Sequence, residues 1–316
     1  MQRYIAYRLL MTIPTLFFAS ILVFAIITLS PGDPARMMLG PEATEQDVLN
    51  ERARLGLDRP IPVRYGIWIS DVARLNLGVS QVNNRPVTSR IADALPHTIR
   101  LTVIVLLVSV AIGFPLGIYA AVRQNRVGDF IVTGMNSIGL AVPSFWVGIM
   151  LILVFGVTLR WLPPSGVGDS GGLLSDPRFL IMPVITLAMS NVAVFSRFLR
   201  SSMIDVLGRD YIRTARSKGL PERFVVYRHG LRNALLPVVT ALGIQFGRLM
   251  GGAVVTETVF SYPGIGRLVV SSILNRDYPV VQATLILIVL IFLVVNIIVD
   301  ISYAYLDPTI KFQDAR

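Results

Sequence analysis

Long apolar runs constrain the fold of this 316-residue chain more than any other feature of its sequence. A helix needs about 20 consecutive apolar residues to cross a bilayer, where lipid offers the backbone no hydrogen-bond partner. Such runs occur at residues 9–30, 98–122, 131–159, 179–199, 235–256 and 280–305. The sequence therefore predicts an all-α integral membrane protein with six transmembrane helices.

The composition excludes several classes of protein. Only 15% of the residues are charged, whereas a soluble globular chain has about a quarter. The chain has no cysteine and only two histidines, His97 and His229, which excludes disulfides, thiolate metal sites and a histidine-built metal cage. It also lacks the Gly-Lys-Ser/Thr of a P-loop. We therefore predict that the chain is not an enzyme and that it holds no metal or cofactor of its own.

The distribution of charge predicts the orientation of the spans. Nearly all of the net charge of +10 lies at the amino terminus, in residues 123–130 and in residues 197–232, whereas the other three loops are balanced. Because cytoplasmic loops are rich in Lys and Arg, both termini and these two loops are predicted to be cytoplasmic. This explanation of the basic charge argues against a nucleic-acid partner.

The same pattern divides the chain into segments. Residues 1–30 form the amino-terminal segment with the first helix, and residues 31–97 form an outer loop or small subdomain. Residues 98–305 form a core of five helices that includes a cytoplasmic loop at 200–234, and residues 306–316 form a cytoplasmic tail.

The cytoplasmic segment at residues 210–237 reads DYIRTARSKGLPERFVVYRHGLRNALLP and is basic and amphipathic. Gly219 and Pro221 are predicted to end one short helix and to turn the chain into a second. Two interpretations are open on these residues alone. The helix–turn–helix inserts into a groove on a partner protein, or its basic face rests on anionic lipid headgroups.

This segment resembles the EAA loop of bacterial ABC importer permeases. In that pattern Glu-Ala-Ala is followed by a glycine and later by Leu-Pro, which correspond here to Arg213, Thr214, Ala215, Gly219, Leu236 and Pro237. An arginine replaces the leading glutamate, and the Leu-Pro pair comes several residues later than usual. Both departures are typical of the dipeptide, oligopeptide and nickel permeases.

Further motifs extend this resemblance over nearly the whole chain. They are SPGDPAR (30–36), RLGLDRPIPVRY (54–65), NLGVS (76–80), VPSFWVGI (142–149), WLPPSG (161–166), TETVFSYPGIGRL (256–268) and RDYPVVQ (276–282). On these motifs the chain is identified as resembling the B-type permease of a peptide-class importer, with the fold of type I ABC importer permeases.

The resemblance implies a multi-pass protein of the bacterial inner membrane that works in a complex. The expected partners are a second homologous permease, two ATPase subunits that bind ATP and Mg²⁺, and a periplasmic or lipid-anchored substrate-binding protein. The expected substrate is a dipeptide or oligopeptide, and the alternatives are glutathione, a nickel chelate or another small solute. The residues expected to couple the permease to the ATPase are Arg213, Thr214, Ala215, Arg216, Lys218, Gly219 and Leu220.

Other candidates lie in the membrane spans. Gly243, Gly247 and Gly251 share one helix face, as in close helix packing, and this spacing also suits a helix that lines the pathway. Gln245 and Arg248 lie on the same helix, and a buried arginine must face protein or water. We therefore predict a pathway or gating role for these two residues.

Three more polar residues belong to these runs or their ends. Asn191 and Asn296 are expected to be interhelical hydrogen-bond partners, and they are also candidates for the pathway. Glu257 lies near the end of a span and is expected to be interfacial.

Two other classes of function place different demands on the sequence. An ion-coupled carrier that works alone needs a central ionisable residue, and Asp300 is the only acid inside an apolar run. An intramembrane hydrolase needs a base beside a nucleophile within the membrane, and neither histidine lies deep in a span.

Overall fold

The structure, a computed structural model, describes residues 2–29, 34–40, 42–168 and 176–306. The regular elements of these ranges are helices. In chain order they are α1 (Gln2–Thr28), α2 (Pro34–Leu39), α3 (Glu45–Arg54), α4 (Ile61–Ala73), α5 (Val87–Val122), α6 (Val127–Ala141), α7 (Ser144–Leu151), α8 (Arg178–Leu207), α9 (Asp210–Ser217), α10 (Glu222–Phe224), α11 (Arg232–Gly252), α12 (Val254–Val259), α13 (Ile265–Leu274) and α14 (Tyr278–Leu306). Two π-helical segments, Ile152–Thr158 and Val225–Leu231, continue α7 and α10.

The helices confirm the all-α fold. Four segments of the described residues are long and apolar enough to cross a membrane: Val87–Val122, Arg178–Leu207, Pro237–Val259 and Tyr278–Val299. The first predicted run lies in α1, whose apolar part, Leu10–Ile26, is shorter than these. The number of six spans and their orientation remain predictions.

The third predicted run is not one straight helix. It is broken between α6 and α7, and the two parts meet at an angle of 91°. Val142 and Pro143 have extended backbones with ψ of 125° and 131°. A proline lacks the backbone N–H and disfavours the helical conformation of the residue before it, which explains why the helix ends here.

The described chain divides into two compact units whose limits differ from the predicted segments. The described residues within 1–8, 95–267 and 291–316 form the core unit, and those within 9–94 and 268–290 form the outer unit. Part of α1 and the start of α14 therefore belong with the predicted loop of residues 31–97.

Helix α8 lies at the centre of the core unit. It packs against α6, α7 and α11. Leu180 and Leu187 of α8 join Leu101 of α5 and Leu249 of α11 in one buried apolar cluster. At Gly117 of α5 the backbones approach so closely that a Cβ atom would lie 2.7 Å from a carbonyl oxygen of α8. Helices α5 and α8 can therefore touch only because this residue has no side chain.

The outer unit contains the three short helices α2, α3 and α4 within residues 31–97. Thr44 and Asp47 cap α3 reciprocally, which satisfies backbone N–H groups at its first turn. Tyr65 and Trp68 of α4 pack against Phe24 of α1, with ring centroids 5.5 and 5.6 Å from the Phe24 ring. This aromatic contact fixes α4 on the end of α1.

A buried carboxylate holds the turn before α5 in the outer unit. Asp277 accepts hydrogen bonds from Ser80 Oγ at 2.5 Å and from the Gln81 backbone N–H at 3.0 Å. Arg90 Nη1 lies 2.7 Å from the same carboxylate and supplies the opposite charge. Residues far apart in sequence are thus joined by one ion pair.

Candidate functional site

The predicted coupling segment folds onto its own small apolar base. Ile212 and Ala215 on one face of α9 pack against Val225, and the half-buried Leu220 lies against the same cluster. An amphipathic helix buries one face and exposes the other. Ala215 and Leu220 therefore hold the segment in place, and the surface it presents comes from other residues.

A left-handed turn joins α9 to α10, as the sequence predicts. Gly219 has a φ of +73°, and a Cβ atom there would meet no atom within 4 Å. Glycine adopts this backbone conformation without steric cost, whereas most other residues are strained in it. Other residues are therefore disfavoured at position 219 by the backbone conformation and not by a lack of space.

An ion pair closes the turn. Arg216 donates to Glu222 through Nε at 3.1 Å and through Nη2 at 2.7 Å. These hydrogen bonds lower the pKa of the Glu222 carboxyl below its ordinary value, which keeps the glutamate ionised. Arg216 therefore stabilises the turn, although both side chains remain partly exposed.

The exposed surface of the segment is basic. Arg213, Thr214 and Lys218 all point away from the apolar base. Arg213 lies 3.5 Å from Asp210, at a distance that makes this ion pair weak, and the Arg213 side chain is 74% exposed. The segment thus presents exposed cationic groups on a buried apolar support.

The segment is tied to the neighbouring helices. Asn233 of α11 donates to Tyr211 Oη of α9 at 2.9 Å, and Ser202 of α8 donates to the Ala234 carbonyl at 2.8 Å. Hydrogen bonds therefore link α9 to α11 and α11 to α8.

A second ion pair at the α6–α8 contact was not predicted from the sequence. Arg200 of α8 binds Asp129 of α6 in a bidentate arrangement, with both N–O distances at 2.6 Å. The Asp129 side chain is only 3% exposed. In the sequence these residues counted only as loop charges, and spacing alone does not pair residues on different helices.

A polar group lies between α8 and α11 in the apolar part of the core unit. Gln245 donates to Asn191 Oδ1 at 2.8 Å, and both residues are buried. Asn191 is therefore an interhelical partner, as expected. Asn296 instead donates to a carbonyl of its own helix, that of Phe292, at 3.0 Å, so the structure does not place it in this group.

Arg248 lies beside this polar group but faces the other way. Its Nη1 is 3.5 Å from Gln245 Oε1, and the side chain is exposed on the surface of the chain. Pro237, Ile244 and Val255 are also exposed. At 3.6 residues per turn these four positions share one face of α11 and its continuation, so this face has no partner within the described chain.

The glycines of α11 lie against α14. A Cβ atom at Gly247 would come 2.5 Å from Phe292 Cδ2, and one at Gly243 would overlap Val299. Two of the three predicted glycines thus permit close approach of two helices, and Gly251 follows on the same face.

Glu257, which the sequence places near the end of a span, is enclosed within the protein. It is fully buried, accepts a hydrogen bond from Thr98 Oγ1 at 2.7 Å, and accepts another from the Arg267 backbone N–H at 3.0 Å. The first N–H groups of a helix lack partners within the helix, and the carboxylate supplies one for α13. Glu257 is therefore a structural cap in the TETVFSYPGIGRL motif.

Family models match nearly the whole chain. Residues 113–312 match the binding-protein-dependent transport system inner membrane component, and residues 1–102 match the amino-terminal part of such a membrane component.

Curated relatives match along their full length. The glutathione transport system permease protein GsiC of Escherichia coli O6:H1 is 45% identical over 99% of this chain and 100% of its own. GsiC of Salmonella choleraesuis is 44% identical over the same shares of the two chains.

Solved structures share the fold at low identity. The inward-facing MetNI methionine ABC transporter has a TM-score of 0.58 at 16% identity, covering 70% of this chain and 98% of its own. An amino acid ABC transporter with histidines has a TM-score of 0.50 at 16% identity, covering 69% of this chain and 94% of its own. These matches and the helical fold agree with the motifs: the chain belongs to the binding-protein-dependent transport system inner membrane components, the permease subunits of bacterial ABC importers in the inner membrane.

Proposed function

We propose that this permease, together with a homologous one, forms the translocation pathway for short peptides, with glutathione as the first substrate to test. The observation that supports this substrate class is the 45% identity to a glutathione permease over the full length of both chains. Glutathione is itself a tripeptide, so this proposal joins the peptide class expected from the motifs to the substrate of the named relatives.

Uptake by the reconstituted importer tests the substrate. The complete complex is placed in proteoliposomes with ATP inside and its binding protein outside, and uptake of labelled glutathione, a dipeptide and a nickel chelate is measured. We expect ATP-dependent uptake of at least one peptide, with competition between peptides and none by the chelate. Uptake of the chelate alone would contradict the proposal.

The coupling to the ATPase is assigned to the segment of α9 and the Gly219 turn. The contacts with the ATPase come from the exposed residues Arg213, Thr214 and Lys218. The turn is shaped by Gly219 and by the ion pair of Arg216. The segment is held on its apolar base by Ala215 and Leu220. The ATPase dimer closes on ATP, these segments move, and the pathway opens to the outside. Coupling of this kind requires contacts that differ between the two states.

Charge reversal tests this surface. Arg213→Glu and Lys218→Glu are expected to lower both uptake and the co-purification of the ATPase subunits, because the introduced carboxylates repel an acidic site on the partner. Arg74→Glu, an exposed arginine of the outer unit, is the matched control and should leave both unchanged. Unchanged uptake and assembly in all three variants would refute the assignment.

Arg248 is assigned to the pathway side of the permease, and Gln245 and Asn191 form the buried polar pair beside it. An arginine within a span is costly in lipid, and Arg248 lies on the face of α11 that no described part of this chain covers. That face therefore meets water in the pathway or the partner permease.

The absence of native cysteine allows a direct test of this face. Single variants Ile244→Cys and Arg248→Cys should react with a membrane-impermeant thiol reagent in the assembled importer. Leu249→Cys, at a buried position on the same helix, is the control and should not react. Equal protection of all three cysteines in every nucleotide state would place the face away from the aqueous pathway.

A further inference from the structure

The outer unit contains a cavity of about 850 Å³ that none of the assignments above uses. Its lining includes four arginines, one acid and three large aromatic residues, which are Arg52, Arg54, Arg59, Arg64, Asp71, Phe24, Trp68 and Tyr278. Cavities of this size hold small molecules, and a few charged groups in them fix the orientation of the ligand.

Three of these residues form a line along α4. Arg64, Trp68 and Asp71 are spaced by four and three residues, so they share one face of the helix, and all three are half-buried. The face thus presents a cation at one end, an indole in the middle and a carboxylate at the other end.

The charges at the two ends of this line are not neutralised within the described chain. Arg54 is paired with Glu51 at 2.7 Å, and Arg52 lies 3.8 Å from Asp58. Among the described residues, neither Arg64 nor Asp71 has an ion-pair partner, although each lines the cavity. A partly buried charge is stabilised by an opposite charge, so each end of the line is suited to a charged group of a ligand.

The length of this line matches a short peptide. Two residues seven positions apart on a helix are separated by about 10 Å along its axis. Three residues of extended chain also span about 10 Å. An extended tripeptide therefore brings its carboxylate to one end of the line while its ammonium group reaches the other.

We propose that this cavity binds a short zwitterionic peptide, with the peptide carboxylate at Arg64, the ammonium group at Asp71 and a side chain against Trp68. The proposal rests on the assignment of short peptides as the transported solute and adds a binding site in the permease itself. A phospholipid headgroup is the competing occupant, but an anionic headgroup leaves the carboxylate of Asp71 without a cation, whereas the ammonium group of a peptide pairs with it.

Photo-affinity labelling of the intact importer tests the site without transport. The purified complex, in nanodiscs and without its binding protein, is labelled with a photoreactive tripeptide, and the adducts are mapped by mass spectrometry. We expect adducts in α4 and near Tyr278, with competition by free tripeptide and weaker competition by peptides of six residues or more.

Two substitutions, tested with an amidated and an acetylated tripeptide, distinguish the contact with the peptide carboxylate from the contact with its ammonium group. Arg64→Gln should lower labelling by the free tripeptide about five- to tenfold and should remove the preference for the free carboxylate over its amide. Asp71→Asn should likewise remove the preference for the free amine over its acetylated form. Arg74→Gln, at an exposed position outside the cavity, should change neither preference.

Three results would overturn the proposal. The first is that adducts form only elsewhere in the complex. The second is that Arg64→Gln and the parent protein show the same preference for the free carboxylate over its amide. The third is that anionic lipid displaces the label and peptide does not. Peptide uptake measured on the same complex distinguishes a wrong binding site from a wrong substrate class. Uptake with no labelling of the cavity refutes the site alone, whereas no peptide uptake refutes the proposed substrate.

Discussion

The turn at Gly219 offers a graded test of coupling. Its φ of +73° and the open space around it mean that any cost of substitution comes from the backbone. An alanine in this conformation costs about 1–2 kcal/mol, an asparagine costs less, and a proline is excluded because its ring fixes φ near −65°. Proline also removes the hydrogen bond from the Gly219 N–H to the Arg216 carbonyl at 2.9 Å.

We therefore expect uptake to be highest in the parent protein and to fall through Gly219→Asn and Gly219→Ala to Gly219→Pro. An energy of about 1.4 kcal/mol is a tenfold change in the population of the turn, so Gly219→Ala should retain partial uptake. Gly219→Pro should abolish uptake, while the protein still inserts into the membrane.

The assay is uptake per assembled complex in proteoliposomes, together with the ATPase rate stimulated by the binding protein. Membrane content and protease accessibility of each variant are the controls for insertion. Full uptake by Gly219→Pro would refute the assignment of this turn to coupling. A Gly219→Asn variant weaker than Gly219→Ala would refute the explanation by backbone conformation.

Three further predictions concern contacts of the core unit. Asp129→Asn leaves the charge of Arg200 unpaired at the α6–α8 contact and should destabilise the protein by about 3–5 kcal/mol. The measurement is the Tm in detergent, which should fall, and an unchanged Tm would contradict this prediction. The pKa of Glu222 is lowered by Arg216, so this pair stabilises the turn above the ordinary pKa of a glutamate and loses its effect as the pH falls through the lowered value. Glu222→Gln should remove that acid dependence from hydrogen exchange in residues 216–222, and an identical pH profile would show that the pair contributes nothing. Gly247→Val should disrupt the contact with α14 and reduce the yield of folded permease, whereas normal yield and Tm would show that these helices separate easily.

The fold class could be predicted from the sequence because lipid leaves few options for an apolar run. Hydropathy alone located the helices that became α5, α8, α11 and α14. The break at Pro143 was missed because the run remains apolar on both sides of it, and the proline acts through backbone geometry rather than hydropathy.

The candidate site could be predicted in part. The turn at Gly219 followed from residue type, since glycine and proline limit backbone conformation locally. The inward orientation of Ala215, the pairing of Asp129 with Arg200 and the burial of Glu257 all depend on which helices become neighbours. Such neighbours are set by tertiary packing, which a single sequence does not specify.

The break between α6 and α7 has a mechanical consequence. A continuous helix is stiff because each turn is hydrogen-bonded to the next, whereas the extended residues Val142 and Pro143 interrupt this bonding. Gly139 of α6 packs on Met189 and Ala193 of α8, and Gly148 of α7 packs on Thr186 of the same helix and on Phe260. Coupling between α6 and α7 therefore runs through their shared contact with α8 and not through one continuous ladder of backbone hydrogen bonds.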